Sequence, residues 1–197
     1  MTRPFRLGLT GSIGMGKSTT ARMFAEAGCA VWDADAAVHR LYGPRGAAVS
    51  AIAALHPAAI VDGAVSRDVL KVWIRNDPAA LSRIEAVVHP LVAADRADFL
   101  AATDADIAVF DIPLLFEGGS ERGFDAVAVV TAPPETQRAR VLARPGMTEE
   151  QFESLLAKQL PDADKRARSD FVIETDDMAS AQIAVSRIVK TIRAGHA

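Results

Sequence analysis

The stretch Phe5-Arg6-Leu7-Gly8-Leu9-Thr10-Gly11-Ser12-Ile13-Gly14-Met15-Gly16-Lys17-Ser18-Thr19 decides the fold. A short apolar run ends in a glycine-rich turn, and Gly11, four intervening residues and Gly16-Lys17-Ser18 match the phosphate-binding-loop pattern. Gly11, Gly14 and Gly16 allow backbone conformations that a Cβ would resist, so several N–H groups can converge on phosphate oxygens. The helix expected next offers its positive end to the same anion. Lys17 can reach the β- and γ-phosphates of a nucleoside triphosphate, and the Ser18 hydroxyl can join the shell of a Mg²⁺ bridging them. Gly11, Ser12, Ile13, Gly14, Met15, Gly16, Lys17, Ser18 and Thr19 are therefore the expected nucleotide-binding segment.

Working outward, Phe5 to Thr10, Ile107 to Phe110 and Ala126 to Val130 read as strands buried on both faces, with weaker candidates at Ala30 to Trp32 and Phe171 to Ile173. Helical patterns separate most of them. That alternation predicts an α/β fold, a parallel sheet flanked by helices, with ligands gathered beyond the carboxyl ends of the strands. Ser18 to Ala27 is the first expected helix with Gly28 as its stop, and Val185, Ile188, Val189 and Ile192 form the apolar stripe of a C-terminal helix. Ala34 to Ala102 reads as a helical insertion of several short helices, broken near Gly43-Pro44, His56-Pro57, Asp77-Pro78 and His89-Pro90. A second helical region from Pro134 to Ala167 is rich in arginine and lysine, carries a capping-box pattern at Thr148 and Gln151, and has the character of a lid.

The 197 residues are half apolar, enough for one substantial core, and are read as one domain, 1–197, with the insertion at about 34–102 and the lid at about 134–167. A net charge of −3 argues against a general nucleic-acid binder, which needs a basic face. Cys29 is the only cysteine, so neither an intramolecular disulfide nor a multi-cysteine metal site can form, as suits a reducing cytosol. The first residues lack the apolar core of a signal peptide, and no stretch approaches the roughly 20 apolar residues of a membrane span. A cytoplasmic protein with its N-terminus intact is expected, without a membrane or an obligatory protein partner.

Three further constellations narrow the class: Asp33-Ala34-Asp35 with His39, then His89-Pro90, then Asp111-Ile112-Pro113-Leu114-Leu115-Phe116-Glu117. Together with the phosphate loop they resemble the dephospho-CoA kinase family. The resemblance spans nearly the whole chain, since Gln137, Arg138, Arg144, Gln159, Lys165 and Ala167 to Thr175 fall in the family's order. It departs where Lys158 and Thr175 stand, positions often held by Arg and Asn, and at Ser169, where Ala is common. The resemblance implies a P-loop kinase-like fold with a substrate-binding insertion and a lid. It also implies ATP as phosphoryl donor, Mg²⁺, and transfer of the γ-phosphoryl group to the 3′-hydroxyl of dephospho-CoA.

Asp33, after the second strand, has two readings: general base for the attacking hydroxyl, which the resemblance favours, or N-cap of the helix beginning near Ala34. Asp35 reads as a cap before it reads as a water-mediated metal contact. Asp111, at the end of its strand, is the expected carboxylate beside Mg²⁺, sharing the metal with Ser18; a strand-end cap is the plainer alternative. Lys17 and Arg144 join Asp33 as catalytic candidates, because fixed cations stabilise a transferring phosphoryl group, and Arg138 is a second nucleotide contact. The acceptor is expected against Thr10, Asp33, His39, Arg67, His89, Pro113, Leu114, Leu115, Phe116 and Glu117. Arg140 and Arg166 read equally well as a solvated face, and Trp32 and Trp73 as packing. The nearest rival is another small P-loop kinase acting on a nucleotide or nucleoside. A GTP-binding switch is disfavoured, because no Asn-Lys-x-Asp sequence occurs and Asp111 is followed by Ile112-Pro113-Leu114 without a glycine at the third place.

Overall fold

A computed structural model describes residues 3–196. They fall into two compact units, one made of residues 3–32 with 103–196 and the other of residues 33–102.

In the first unit, β1 (Phe5–Thr10), β2 (Ala30–Asp33), β5 (Ile107–Asp111), β6 (Ala126–Thr131) and β7 (Phe171–Glu174) form a sheet in the order β2-β5-β1-β6-β7. The β1–β5, β1–β6 and β6–β7 pairings are parallel, with Leu7 opposite Val109 and Ala126. Two packed faces explain why the strands read as continuous apolar runs. Leu7, Leu9, Ile107, Val109, Ala128, Val130 and Ile173 point to one face, where Met23 and Phe24 of α1 (Lys17–Glu26) and Val185, Ile188, Val189 and Ile192 of α9 (Met178–His196) meet them. On the other face Leu115, Phe116 and Val127 cluster with Phe124 and Leu160. Phe110 packs between Trp32 and Phe124, with ring centroids 5.9 and 5.4 Å away.

Helix α1 begins one residue before the expected start and closes as expected at Gly28. The Cys29 N–H donates to the Phe24 carbonyl and the Gly28 N–H to that of Ala25, a Schellman pair made possible by the positive φ of Gly28. The region expected to form a lid contains α6 (Pro134–Leu142), α7 (Glu149–Leu156) and α8 (Asp162–Ala167). The capping box of α7 is present: Thr148 Oγ1 accepts from the Gln151 N–H, and Gln151 Oε1 from the Thr148 N–H. No helix among the described residues is long and apolar enough to cross a membrane.

The second unit has its own core, including Leu41, Ile52, Val65, Leu70, Ile84 and Val88. Helices α2 (Ala34–Tyr42), α3 (Ala48–Leu55) and α4 (Arg67–Asn76) end where expected, at Gly43-Pro44, His56-Pro57 and Asp77-Pro78. The expected break at His89-Pro90 is absent. Pro90 lies inside α5 (Ala80–Ala102), where it forfeits one backbone bond to Ala86. Packing on both sides of the proline carries the helix through, since Ile84, Val88, Leu91 and Val92 all reach the core of this unit. A two-stranded hairpin, β3 (Ile60–Val61) and β4 (Ala64–Val65), was not foreseen. Asp62 and Gly63 turn it with φ of 50° and 76°, the mirror-image turn for which an Asp-Gly dipeptide is the sequence signal.

Candidate active site

The phosphate loop leaves the carboxyl end of β1 in the middle of the sheet and enters α1 at Gly16, whose φ is 87°. Close packing holds it down. A Cβ on Gly11 would overlap Val130, and one on Gly14, whose φ is 79°, would lie 2.5 Å from Val141 Cγ2 and 2.9 Å from the Gln137 carbonyl.

Polar bonds then fix individual peptides of the loop. Ile13 is held at both ends: its N–H donates to Gln159 Oε1 at 3.0 Å, and its carbonyl accepts from Gln137 Nε2 at 2.8 Å. The Met15 carbonyl accepts from Thr175 Oγ1 at 2.8 Å, while Arg140 donates to the Thr175 hydroxyl and carbonyl at 3.1 and 2.5 Å. Arg140 is therefore a buttress of the loop and no mere solvated cation. Ser12 is buried, and its Oγ has no hydrogen-bond partner among the described residues.

Lys17 and Asp111, 94 residues apart, form a short ion pair in which Asp111 is nearly buried. The pairing of β1 with β5 sets it up, because it places the end of one strand beside the end of the other. Ser18 is exposed in the first turn of α1. A hydroxyl and a carboxylate are hard oxygen donors, and no group of three or more metal-ligating His, Cys, Asp or Glu side chains occurs among the described residues. That donor set fits Mg²⁺, which takes one or two protein oxygens and completes its shell from phosphates and water.

Met15 and Gln137 open onto a cleft of about 420 Å³, also lined by Thr131, Ala132, Pro133, Pro134, Asp162, Arg166, Glu174 and Asp176. Arg166 thus faces a cavity, which its place in the sequence did not suggest. Arg138, expected at the nucleotide, instead grips Glu149 with two bonds and ties α6 to α7. Arg144 is exposed at the end of α6.

The apolar turn after β5 divides. Leu115 and Phe116, expected to touch the acceptor, are 0% and 4% exposed in the second sheet-face cluster, so neither presents surface to a ligand here. Leu114 is 48% exposed. Pro113 is half-buried, and its carbonyl accepts from Thr10 Oγ1 at 3.1 Å; Thr10 is itself fully buried. Glu117, also expected at the acceptor, points elsewhere: its Oε1 accepts from the Leu160 N–H at 2.9 Å and lies 2.8 Å from the ammonium of fully buried Lys165. Burial opposes ionisation of Glu117, but the Lys165 and Leu160 bonds outweigh it and hold the carboxyl below its ordinary range. Lys165 carried no local sequence signal of burial, since it sits among charged residues at 162–166.

The remaining acceptor candidates belong to the 33–102 unit. Asp33 ends β2 and caps α2, its Oδ1 accepting from the Asp35 and Ala36 N–H groups at 2.8 and 3.0 Å, so the capping reading is realised at that oxygen. Asp35 lies in the first turn of α2 and does not cap it. His39 is exposed in the last turn of α2, and His89 is exposed within α5. Arg67, at the start of α4, stands 5.7 Å from the centroid of the Tyr42 ring. Trp73 packs where expected, stacked on His56 at 4.7 Å.

With the loop, its lysine–carboxylate pair and the cleft in place, comparison with known proteins is decisive. The sequence profile described as dephospho-CoA kinase matches residues 5–181. The chain belongs to the dephospho-CoA kinase family. It is 65% identical to the dephospho-CoA kinase of Ruegeria pomeroyi over 192 residues, covering 98% of each chain. It is 62% identical to that of Cereibacter sphaeroides, covering 97% of each. A crystal structure of a Thermus thermophilus protein superimposes with a TM-score of 0.84 at 34% identity, covering 98% of each chain. Within this dephospho-CoA kinase family member, Leu115 and Phe116 are core residues and Glu117 is partly buried against Lys165.

Proposed function

We propose that this chain transfers the γ-phosphoryl group of ATP to the 3′-hydroxyl of dephospho-CoA, giving CoA and ADP. As a member of the dephospho-CoA kinase family it is an ATP-dependent kinase. The observation that carries the reading is the complete phosphate loop whose Lys17 meets Asp111 across two paired strands, in a chain of that family.

Lys17 and Asp111 are paired at the mouth of the loop. With a triphosphate in the loop, Lys17 would reach the β- and γ-phosphates, and Asp111 and Ser18 would hold Mg²⁺. The metal, when bound, neutralises charge on the phosphate oxygens. The 420 Å³ cleft beside Met15 takes the nucleoside end of ATP. Asp33, whose two capping bonds use only Oδ1, accepts the 3′-hydroxyl proton through Oδ2. The deprotonating oxygen forms its bond to the γ-phosphorus as the bond to the β–γ bridging oxygen breaks, and ADP leaves with that electron pair. Arg144, carried by the lid, stabilises the charge spread over the transferring group. His39, Arg67, His89 and the exposed Leu114 contribute acceptor contacts. The reaction is proposed to run in the cytoplasm, with only these small-molecule partners.

Incubation with MgATP and separate acceptors, followed by mass spectrometry and ³¹P NMR of the product, tests the proposal. The expected product is phosphorylated at the 3′-position of dephospho-CoA. Faster turnover of a nucleoside or nucleoside monophosphate would select the rival small-kinase reading.

A further inference from the structure

Glu117 and Lys165 lie outside the proposed chemistry, yet they form a largely buried ion pair that leads to the phosphate loop through Leu160 and Gln159. Lys165 is 0% exposed, and Glu117 Oε2 is buried with no hydrogen-bond partner. Such a pair gives up hydration on both sides, and apolar residues of the same shape often serve stability as well or better. Its geometry fixes direction. Glu117 Oε1 faces both the Lys165 ammonium and the Leu160 N–H, so the carboxylate pins the backbone at Leu160. Gln159 immediately precedes that peptide, in the irregular turn between α7 and α8. It is also the residue whose Oε1 accepts from the Ile13 N–H, while Gln137 Nε2 donates to the Ile13 carbonyl.

We propose that Glu117 and Lys165 are positioning residues for the donor loop: they anchor the Gln159-Leu160 peptide, so that Gln159 and Gln137 hold Ile13 in the conformation that receives the triphosphate. The proposal rests on the nucleotide-binding reading of the loop. Residues 111–117, from the last residue of β5 onward, then serve the loop twice, through Asp111 on Lys17 and through Glu117 on the Leu160 N–H that follows Gln159. A loop freed from the clamp spends part of its time in other conformations, and the apparent dissociation constant rises by the reciprocal of the competent fraction.

The test is a double-mutant cycle on the full chain, with the Kd for ATP measured calorimetrically beside the melting temperature. Gln159→Met keeps the volume but removes the acceptor for Ile13. It should weaken ATP binding about three- to tenfold, the equivalent of one net hydrogen bond, and change Tm little. Glu117→Gln retains an acceptor for Leu160 but loses the charge facing Lys165. It should lower Tm and also weaken ATP binding. In the double variant the ATP Kd should match that of Gln159→Met within about twofold, because both changes break one chain of contacts. Saturating ATP should restore kcat to Gln159→Met.

Multiplied effects in the double variant, or a Glu117→Gln protein that loses Tm while keeping the wild-type ATP Kd, would overturn the proposal. So would a Glu117→Gln effect confined to the KM for dephospho-CoA, which would return Glu117 to the acceptor. Should Glu117→Gln not fold, an unchanged ATP Kd in both Gln159→Met and Gln137→Met is the overturning result. Wild-type protein that binds no adenine nucleotide would remove the functional reading as well, an outcome distinct from a binding wild type with insensitive variants.

Discussion

Gly14→Ala probes how closely the phosphate loop is pressed against α6. Two costs add. At φ of 79° an alanine sits in the left-handed region, which costs about 1–2 kcal/mol. Its Cβ would also lie 2.5 Å from Val141 Cγ2 and 2.9 Å from the Gln137 carbonyl. The carbonyl belongs to α6 and moves only with the helix, so the contact is overpacking of a tight site, about 1–3 kcal/mol. The sum is about 2–5 kcal/mol, or a fall in melting temperature of about 4–20 °C for a chain of this size. Gly28→Ala is the control. Its φ is 84°, nearly the same, but the nearest atom to its Cβ would be Arg193 Nη2 at 3.8 Å. It should lose only the left-handed share, about 1–2 kcal/mol. Calorimetric melting of both variants separates the terms, and ATP affinity should fall for Gly14→Ala alone because Gln137 also carries the Ile13 carbonyl. Equal melting temperatures for the two variants, with wild-type ATP binding in both, would refute the close-approach argument.

Asp33→Asn should keep the α2 cap, since Asn caps as well as Asp, while kcat falls by about 10²- to 10⁴-fold; unchanged turnover would leave Asp33 as a cap alone. Arg144→Lys should keep part of the activity and Arg144→Ala less, chiefly in kcat, because an ammonium lacks the planar fork that binds two phosphate oxygens. A rise confined to the ATP KM would make Arg144 a ground-state clamp. The lowered pKa of Glu117 stabilises the fold fully above its ordinary value of 4.5 and ceases to do so as pH falls through the depressed value. The Tm gap between wild type and Glu117→Gln should therefore be constant near neutrality and shrink below that range, and a gap independent of pH would contradict the assignment. Burial pushes the Cys29 thiol up to about 11, against a smaller opposing effect of Arg193. It should resist a thiol reagent at pH 8 until the protein is unfolded, and prompt native-state labelling would refute this.

The phosphate loop, the parallel sheet and the C-terminal apolar stripe were legible because each rests on local pattern: glycine spacing, apolar runs and helical period. The helix stops at Gly43-Pro44, His56-Pro57 and Asp77-Pro78 were legible for the same reason. Pro90 was misread, because packing of Ile84, Val88 and Leu91 over several turns outweighs one missing backbone bond, and that packing is not a local property. The hairpin at Asp62-Gly63 carried a readable turn signal, but its strands have two residues each, too few for an alternating pattern. The place of the loop between β1 and α1 could be read from residue type and spacing alone. The partners of Glu117, Arg138, Arg140 and Lys165 could not, since a charged side chain carries no mark of whether it meets substrate, solvent or another side chain. Chain crossings settle that choice: residues 117 and 165, or 13 and 159, meet only once the strands and the helices α6 to α8 are stacked, and burial then favours one particular partner.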